Sequence, residues 1–207
     1  MRGKFVTLEG IDGAGKSTHL RWLVRFIQER GIKVRATREP GGTTLGEDLR
    51  KLLLDGDRQL SSDTETLLMF AARREHIEKV IVPALEAGTW VVCDRFTDAT
   101  YAYQSGGSGV AWDRVAVLEQ WVQQELQPDL TVLFDVGIDV GRQRAKKEGK
   151  PADRFEREER AYFRRVREAY LRRSREHPGR VRVIDANASI TAVRKSLENI
   201  FSSFCSK

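Results

Sequence analysis

Short apolar runs punctuate the chain at 4–8 (KFVTL), 33–37 (KVRAT), 89–93 (TWVVC), 130–135 (LTVLFD) and 180–184 (RVRVI). Their length and their β-branched residues predict five strands, several of them buried on both faces as in a parallel sheet. The stretches between them repeat their apolar residues at helical spacing. Leu20, Leu23, Val24 and Ile27 mark one helix, ending near Gly31. A "SDTE" capping box of Ser62 and Glu65 opens a long helix that runs towards Gly88 and is kinked at Pro83. Val115, Leu118, Trp121, Val122 and Leu126 mark a helix stopped by Pro128, and Val193, Leu197, Ile200, Phe201 and Phe204 mark the last. Strands alternating with helices predict an α/β fold, a five-stranded parallel sheet flanked by helices. Nothing divides residues 1–207 by repeat or low-complexity linker, so one domain is expected.

The first strand runs into "GIDGAGKST", residues 10–18, and the first helix follows directly. Strand, G-x-x-x-x-G-K-S and helix together are the P-loop arrangement. Glycines let the backbone N–H groups of Gly10, Ile11, Asp12, Gly13, Ala14 and Gly15 turn inward, and with Lys16, Ser17 and Thr18 at the helix N-terminus they form a cradle for phosphate. In such a loop the lysine reaches the β- and γ-phosphates and the serine hydroxyl faces Mg²⁺. A P-loop NTPase fold binding ATP and Mg²⁺ is therefore expected.

Composition narrows the setting. No run of about 18 apolar residues is present, so no membrane span or membrane partner is expected. The start lacks the charged and apolar regions of a leader, and the only cysteines, Cys93 and Cys205, suit a reducing compartment, so the expectation is a cytoplasmic protein. The formal net charge of +6 is concentrated: residues 142–182 carry 16 Lys and Arg against 7 Asp and Glu, while the rest of the chain carries 20 against 23. A confined excess of this kind reads mainly as a solvated helical face, and no nucleic-acid partner is expected.

A P-loop serves switches, motors and kinases alike, so the second substrate must be sought elsewhere. "TREPGGTTLGEDLR", residues 37–50, follows the second strand and brings Arg38, Glu39 and Arg50 around a Gly-Gly turn. "DRF" sets Asp94 and Arg95 at the carboxyl end of the third strand, where open parallel sheets bind ligands. "TDATYAYQSGG", residues 97–107, offers polar and aromatic groups able to line a planar ring. "RQRAKKEGKPADRFE", residues 142–156, is basic and interrupted by Gly149 and Pro151, as a short basic lid would be.

From "FVTLEGIDGAGKST" through "TREPGGT", "FAARREHI", "VVCDRFTDATYAYQ" and "DRFE", nearly the whole chain resembles the bacterial thymidylate kinases, nucleoside monophosphate kinases with a P-loop. The resemblance implies transfer of a phosphoryl group from ATP to dTMP, giving dTDP and ADP for dTTP synthesis, usually by a homodimer. It implies that Asp12 contacts the sugar of the acceptor, that Arg95 holds its phosphate with Arg38, Glu39 and Arg50 around it, and that Thr100, Tyr103 and Gln104 contact base and sugar. Asp94 becomes a candidate for organising Mg²⁺. Another branch of the family carries a catalytic arginine where this chain has Gly13, so the cation is expected from the lid, at Arg142, Arg144 or Lys147, with Lys146, Lys150 and Arg154 nearby. The family's stacking phenylalanine and base-reading arginine stand four apart, whereas Phe70 lies three before Arg73 and four before Arg74. The following "EHI" and Pro83 favour Arg73 as the base reader, with Phe70 or Met69 beneath the ring.

Two other classes remain to be distinguished. A guanine-nucleotide switch would carry an Asn-Lys-x-Asp signature, which is absent. A kinase for another base would share every element except the ring-reading side chains.

Overall fold

The structure is a computed structural model that describes residues 2–55, 59–147 and 160–205, with the side chains of Lys146 and Lys147 left aside. Its sheet has five parallel strands: β1 (Phe5–Glu9), β2 (Val34–Arg38), β3 (Trp90–Asp94), β4 (Leu130–Asp135) and β5 (Val181–Asp185), in the order β2-β3-β1-β4-β5. Four strands are shifted one residue towards their carboxyl ends relative to the sequence pattern, with Glu9, Arg38, Asp94 and Asp185 paired in the ladder although they are polar.

Side chains alternate through the sheet. Phe5, Val91 and Cys93 enter one core with Phe70, Ile81, Phe96 and Val115, while Val6, Leu8, Val92 and Val132 enter the other with Leu23, Ile27, Tyr170, Leu197 and Phe201. Both faces of the central strands are thus dry, as the continuous apolar runs require. The edge strands β2 and β5 expose Arg35, Ala36, Arg182 and Val183.

Helices α1 (Lys16–Gln28), α2 (Thr44–Leu54), α6 (Trp112–Gln123), α7 (Ile138–Lys147), α8 (Arg160–Glu176) and α9 (Ile190–Cys205) lie among the strand connections. The long helix after residue 61 is interrupted: α3 (Ser62–His76) widens into a π-helical turn at Ile77–Ile81 before α4 (Val82–Glu86). Pro83 sits at the start of α4, where the wider turn relieves the conflict between its ring and the preceding carbonyl. The cap is Ser61 rather than Ser62: its hydroxyl accepts from Thr64 N–H, and Glu65 is buried. After β3, α5 (Thr97–Thr100) passes into a second π-helical stretch, Tyr101–Gly107, packed against α8. The chain leaves β1 and β3 in opposite directions across the sheet, and the crevice at their carboxyl ends holds the site.

Candidate functional site

The 10–15 loop closes over the N-terminus of α1, whose first capping position, Gly15, is left-handed at φ +88 and uses no side chain. Gly13 lies at φ +74, and a Cβ there would sit 1.9 Å from the carbonyl oxygen of Gly141 in α7. An arginine cannot occupy this position, which accounts physically for its absence. Ile11 and Ala14 are buried in the core and anchor the loop from beneath. Lys16 Nζ donates to the carbonyls of Gly10 at 2.8 Å and Ile11 at 3.1 Å, and burial pushes its pKa down. Lys16, Ser17, Thr18, Gly13 and Gly15 line a polar cavity whose far wall is Asp12, Arg38, Glu39, Arg50, Asp94 and Arg95.

That far wall is built by a strained turn. Arg95 has φ +70, unusual for a residue with a Cβ. Hydrogen bonds on both sides hold it there: Arg95 N–H donates to Leu8 O at 3.0 Å and Phe96 N–H to Glu9 Oε1 at 2.7 Å. The turn swings the Arg95 guanidinium over the Tyr103 ring, 4.5 Å from its centroid, and onto Asp12 Oδ1 at 2.7 Å and the Tyr103 hydroxyl at 2.9 Å. Burial raises the Asp12 pKa, but Arg95 and Lys16 overcome it and hold the carboxyl at about 2. Arg50 donates to Pro40 O, and Arg38, half exposed, pairs with Glu47.

Behind Arg95 lies a second, smaller cavity, which shares Asp12, Glu39, Arg50 and Arg95 with the first and adds Met69, Arg73, Phe96, Thr100, Tyr103 and Gln104. Arg73 is only 2% exposed. Its Nε donates to Glu39 Oε2 at 2.8 Å and its Nη2 to Thr100 Oγ1 at 2.9 Å, whereas Nη1 has no partner among the described residues. Glu39 is fixed in turn by His76 Nδ1 at 2.9 Å, and its pKa stays low because Arg73 and His76 outweigh burial. Arg74 points away, to Glu78 and the Val122 carbonyl. Phe70 does not line this cavity: it is buried in the core below the Arg73 guanidinium, 4.7 Å from it. Met69, four residues before Arg73, and Phe96 present the apolar walls instead, because a three-residue step along α3 places Phe70 under the arginine.

The basic segment is only partly described. Arg142 lies in α7 and is half-buried, and Arg144 donates to the carbonyls of Ala186 at 2.7 Å and Asn187 at 3.4 Å. Neither lines the two cavities. Lys147 closes α7, and residues 148–156, with Lys150 and Arg154, lie outside the described residues.

Three features escaped the sequence reading. Glu9, fully buried beside the phosphate loop, accepts from Phe96 N–H and from the Tyr170 hydroxyl, and burial with the nearby Asp98 pushes its pKa up to about 8. Asp98 is clamped by Arg173 and Arg180, so part of the basic run read as a solvated face is an internal ion network. Glu65, taken as a capping residue, is buried against Gln104. The helical repeat of Tyr162, Val166, Ala169 and Tyr170, which α8 turns inward together with Arg173, was the available signal for the second of these.

Residues 8–197 match the family profile for thymidylate kinase. A thymidylate kinase of Nitrosospira multiformis is 61% identical over 96% of this chain and 96% of its own, and one of Cupriavidus metallidurans is 59% identical over 97% and 98%. The crystal structure of a thymidylate kinase from Ehrlichia chaffeensis superposes with a TM-score of 0.77 at 33% identity, covering 97% of this chain and 99% of that one. With a phosphate loop facing an arginine-walled second cavity, and with these relatives matching it end to end, the chain belongs to the thymidylate kinase family.

Proposed function

We infer that the protein transfers the γ-phosphoryl group of ATP to dTMP, giving dTDP and ADP on the route to dTTP. The observation that carries this reading is the shared wall: Asp12, Glu39, Arg50 and Arg95 line both cavities, so a donor in one and an acceptor in the other meet end to end. Phosphoryl transfer is catalysed mainly by such alignment and by neutralising the charge spread over the transferring group. Lys16 and the loop amides hold the donor phosphates. Arg95, kept in place by its turn and by Asp12, aims the acceptor phosphate with Arg50 and Arg38 beside it. Asp12 and Tyr103 face the sugar, and Arg73, Thr100 and Gln104 face the base above Met69 and Phe96. Arg142, Arg144 and Lys147 stand at the root of the basic segment that supplies the transition-state cation.

Asp94 and Ser17 line the donor cavity, and Asp94 Oδ1 is a buried oxygen without a partner among the described residues. A carboxylate and a hydroxyl beside phosphates suit Mg²⁺, which takes few protein ligands and keeps water or phosphate for the rest. When bound, it supplies positive charge to the β- and γ-oxygens of the donor.

We read residues 1–207 as one domain acting as a homodimer. Leu67 on α3 and Val117 on α6, 55% and 67% exposed, line an apolar groove rimmed by the Asp63–Arg114 ion pair, and Trp121, 75% exposed, follows Val117 by one turn of α6, the kind of face that a second copy would cover. No helix among the described residues is long and apolar enough to cross a membrane. Both cysteines are free, Cys93 buried, which supports placement in the cytoplasm.

An ADP-release assay with ATP, Mg²⁺ and a panel of dTMP, dCMP, AMP and GMP tests the reading. Turnover with dTMP at least tenfold above the others in kcat/KM is expected, and equal use of dCMP overturns it.

A further inference from the structure

Gln104 sits in the π-helical stretch and is 1% exposed, with its side chain forming part of the acceptor cavity wall. Its Nε2 donates to Oε1 of Glu65 at 2.8 Å, and Glu65, on α3, is likewise 1% exposed. A carboxylate only accepts, so this bond dictates which way round the Gln104 amide sits: nitrogen towards Glu65, carbonyl oxygen away. Glu65 is the one hydrogen-bond partner of the Gln104 side chain among the described residues. One turn back, at the end of α5, Thr100 holds Arg73, whose Nη1 is without a partner among the described residues. The cavity therefore presents one spare donor, on Arg73, and one spare acceptor, on Gln104.

We propose that Glu65 is a positioning residue for base selection: by holding the Gln104 amide it turns the carbonyl oxygen towards the acceptor cavity, which selects a pyrimidine that carries a proton on N3. The proposal rests on the reading of this cavity as the dTMP site. Thymine offers an acceptor at O4 and a donor at N3, the complement of the Arg73–Gln104 pair. Cytosine offers an amino donor at the first position and an acceptor at the second, so it opposes both. A single reader could be satisfied by a water or a small tilt of the ring. Two readers of opposite sense reject the inverted pattern together, because a site built to hydrogen-bond leaves its own buried groups unpaired when the wrong base enters. Glu65 touches neither base nor phosphate in this scheme and acts only through Gln104.

The test measures kcat/KM for dTMP and dCMP, and KM for ATP, in wild type, Glu65→Gln, Gln104→Leu and the double variant. A glutamine at 65 donates as well as accepts, so Gln104 is free to turn its NH₂ group to the base. The expected result is a fall of at least tenfold in the dTMP to dCMP ratio for Glu65→Gln, with KM for ATP within twofold of wild type. In the Gln104→Leu background the same substitution should change the ratio less than twofold, since nothing is left to orient. An unchanged ratio in Glu65→Gln, or an equal fall with and without Gln104, overturns the proposal. Should Glu65→Gln fail to fold, Glu65→Asp, whose carboxylate stops one methylene short, is read for the same ratio and by the same criteria. A wild type that does not prefer dTMP overturns the site reading itself, whereas a selective wild type with a selective Glu65→Gln overturns only the role of Glu65.

Discussion

Arg73 Nε and Glu39 Oε2 lie 2.8 Å apart with both side chains almost wholly out of solvent. A buried pair of this kind costs desolvation on both sides, and its use here is directional. Glu39 and Thr100 occupy two edges of the guanidinium and leave Nη1 as the edge without a partner.

Replacing Arg73 should therefore separate substrates. Arg73→Ala is expected to lower kcat/KM for dTMP by roughly ten- to hundredfold, the loss of a hydrogen bond to a charged group at about 1.5 to 3 kcal/mol, while KM for ATP stays near wild type. Arg74→Ala, removing a surface contact with Glu78, should leave selectivity intact. Steady-state kinetics with dTMP and dCMP decide between the two arginines, and a collapse of selectivity in Arg74→Ala alone would contradict the assignment.

Lys16→Ala should abolish turnover with little change in the fold. The loop keeps its glycine geometry, but the ammonium facing the phosphates is lost. Less than tenfold loss of kcat, under about 1.4 kcal/mol, would be too small for an essential charge contact. Circular dichroism and activity on the same preparation provide the comparison.

At the root of the basic segment, alanine at Arg142, Arg144 and Lys147 in turn should reveal one position where kcat falls about a thousandfold or more while KM for dTMP barely moves. Arg144 now holds the Ala186 and Asn187 carbonyls, so its replacement should also lower thermal stability; the others serve as the cleaner probes. Near-wild-type kcat in all three moves the cation to Lys146, Lys150 or Arg154.

Glu9 gives the protein a pH dependence whose sign can be worked out. The folded chain keeps the proton up to about pH 8, whereas the ordinary carboxyl loses it near 4.5. Between those values the unfolded state binds fewer protons, so stability falls as pH rises through the window. Glu9→Gln removes that slope, and its melting temperature should gain on wild type steadily between about pH 5 and pH 8. Asp98, held at about 2 by Arg180 and Arg173 against burial, acts in the opposite direction: its contribution is complete above about pH 4 and lost as pH falls through 2. Thermal unfolding across pH reads both, and parallel curves for wild type and Glu9→Gln would count against the first.

The α3–α6 face makes a further prediction. Trp121→Glu, with the side chain already in water, should leave the melting curve of an isolated subunit unchanged but convert a dimer to a monomer in sedimentation. A wild type that sediments as a monomer removes the dimer reading.

The parallel sheet and the phosphate loop could be read from local pattern because both depend on near neighbours: a run of apolar residues, or glycines at fixed spacing before Lys16. The residues around the acceptor were identified by motif but not by geometry. The motif named Arg95, yet nothing local indicates that its φ is +70 or that Glu9 and Leu8 hold it there. Phe70 and Met69 could not be told apart from spacing alone, since the choice depends on how α3 is rotated against the sheet. Glu65 and Ser62 made a plausible capping box, but the competition between a cap and a buried partner was decided by Gln104, 39 residues away. Asp98, Arg173 and Arg180 are joined across 75 and 82 residues, a distance over which composition carries no information about pairing.

The wall common to the two cavities also has a thermodynamic meaning. Arg50 and Arg95 border both spaces, so an anion on one side draws on positive potential that the other side also feels. ATP and dTMP cannot then bind as strangers: whatever factor by which one alters the affinity for the other is returned in equal measure, because the coupling free energy belongs to the ternary complex and not to either ligand. A mutation at Arg95, placed to weaken the acceptor, is therefore expected to register in the donor's binding curve as well.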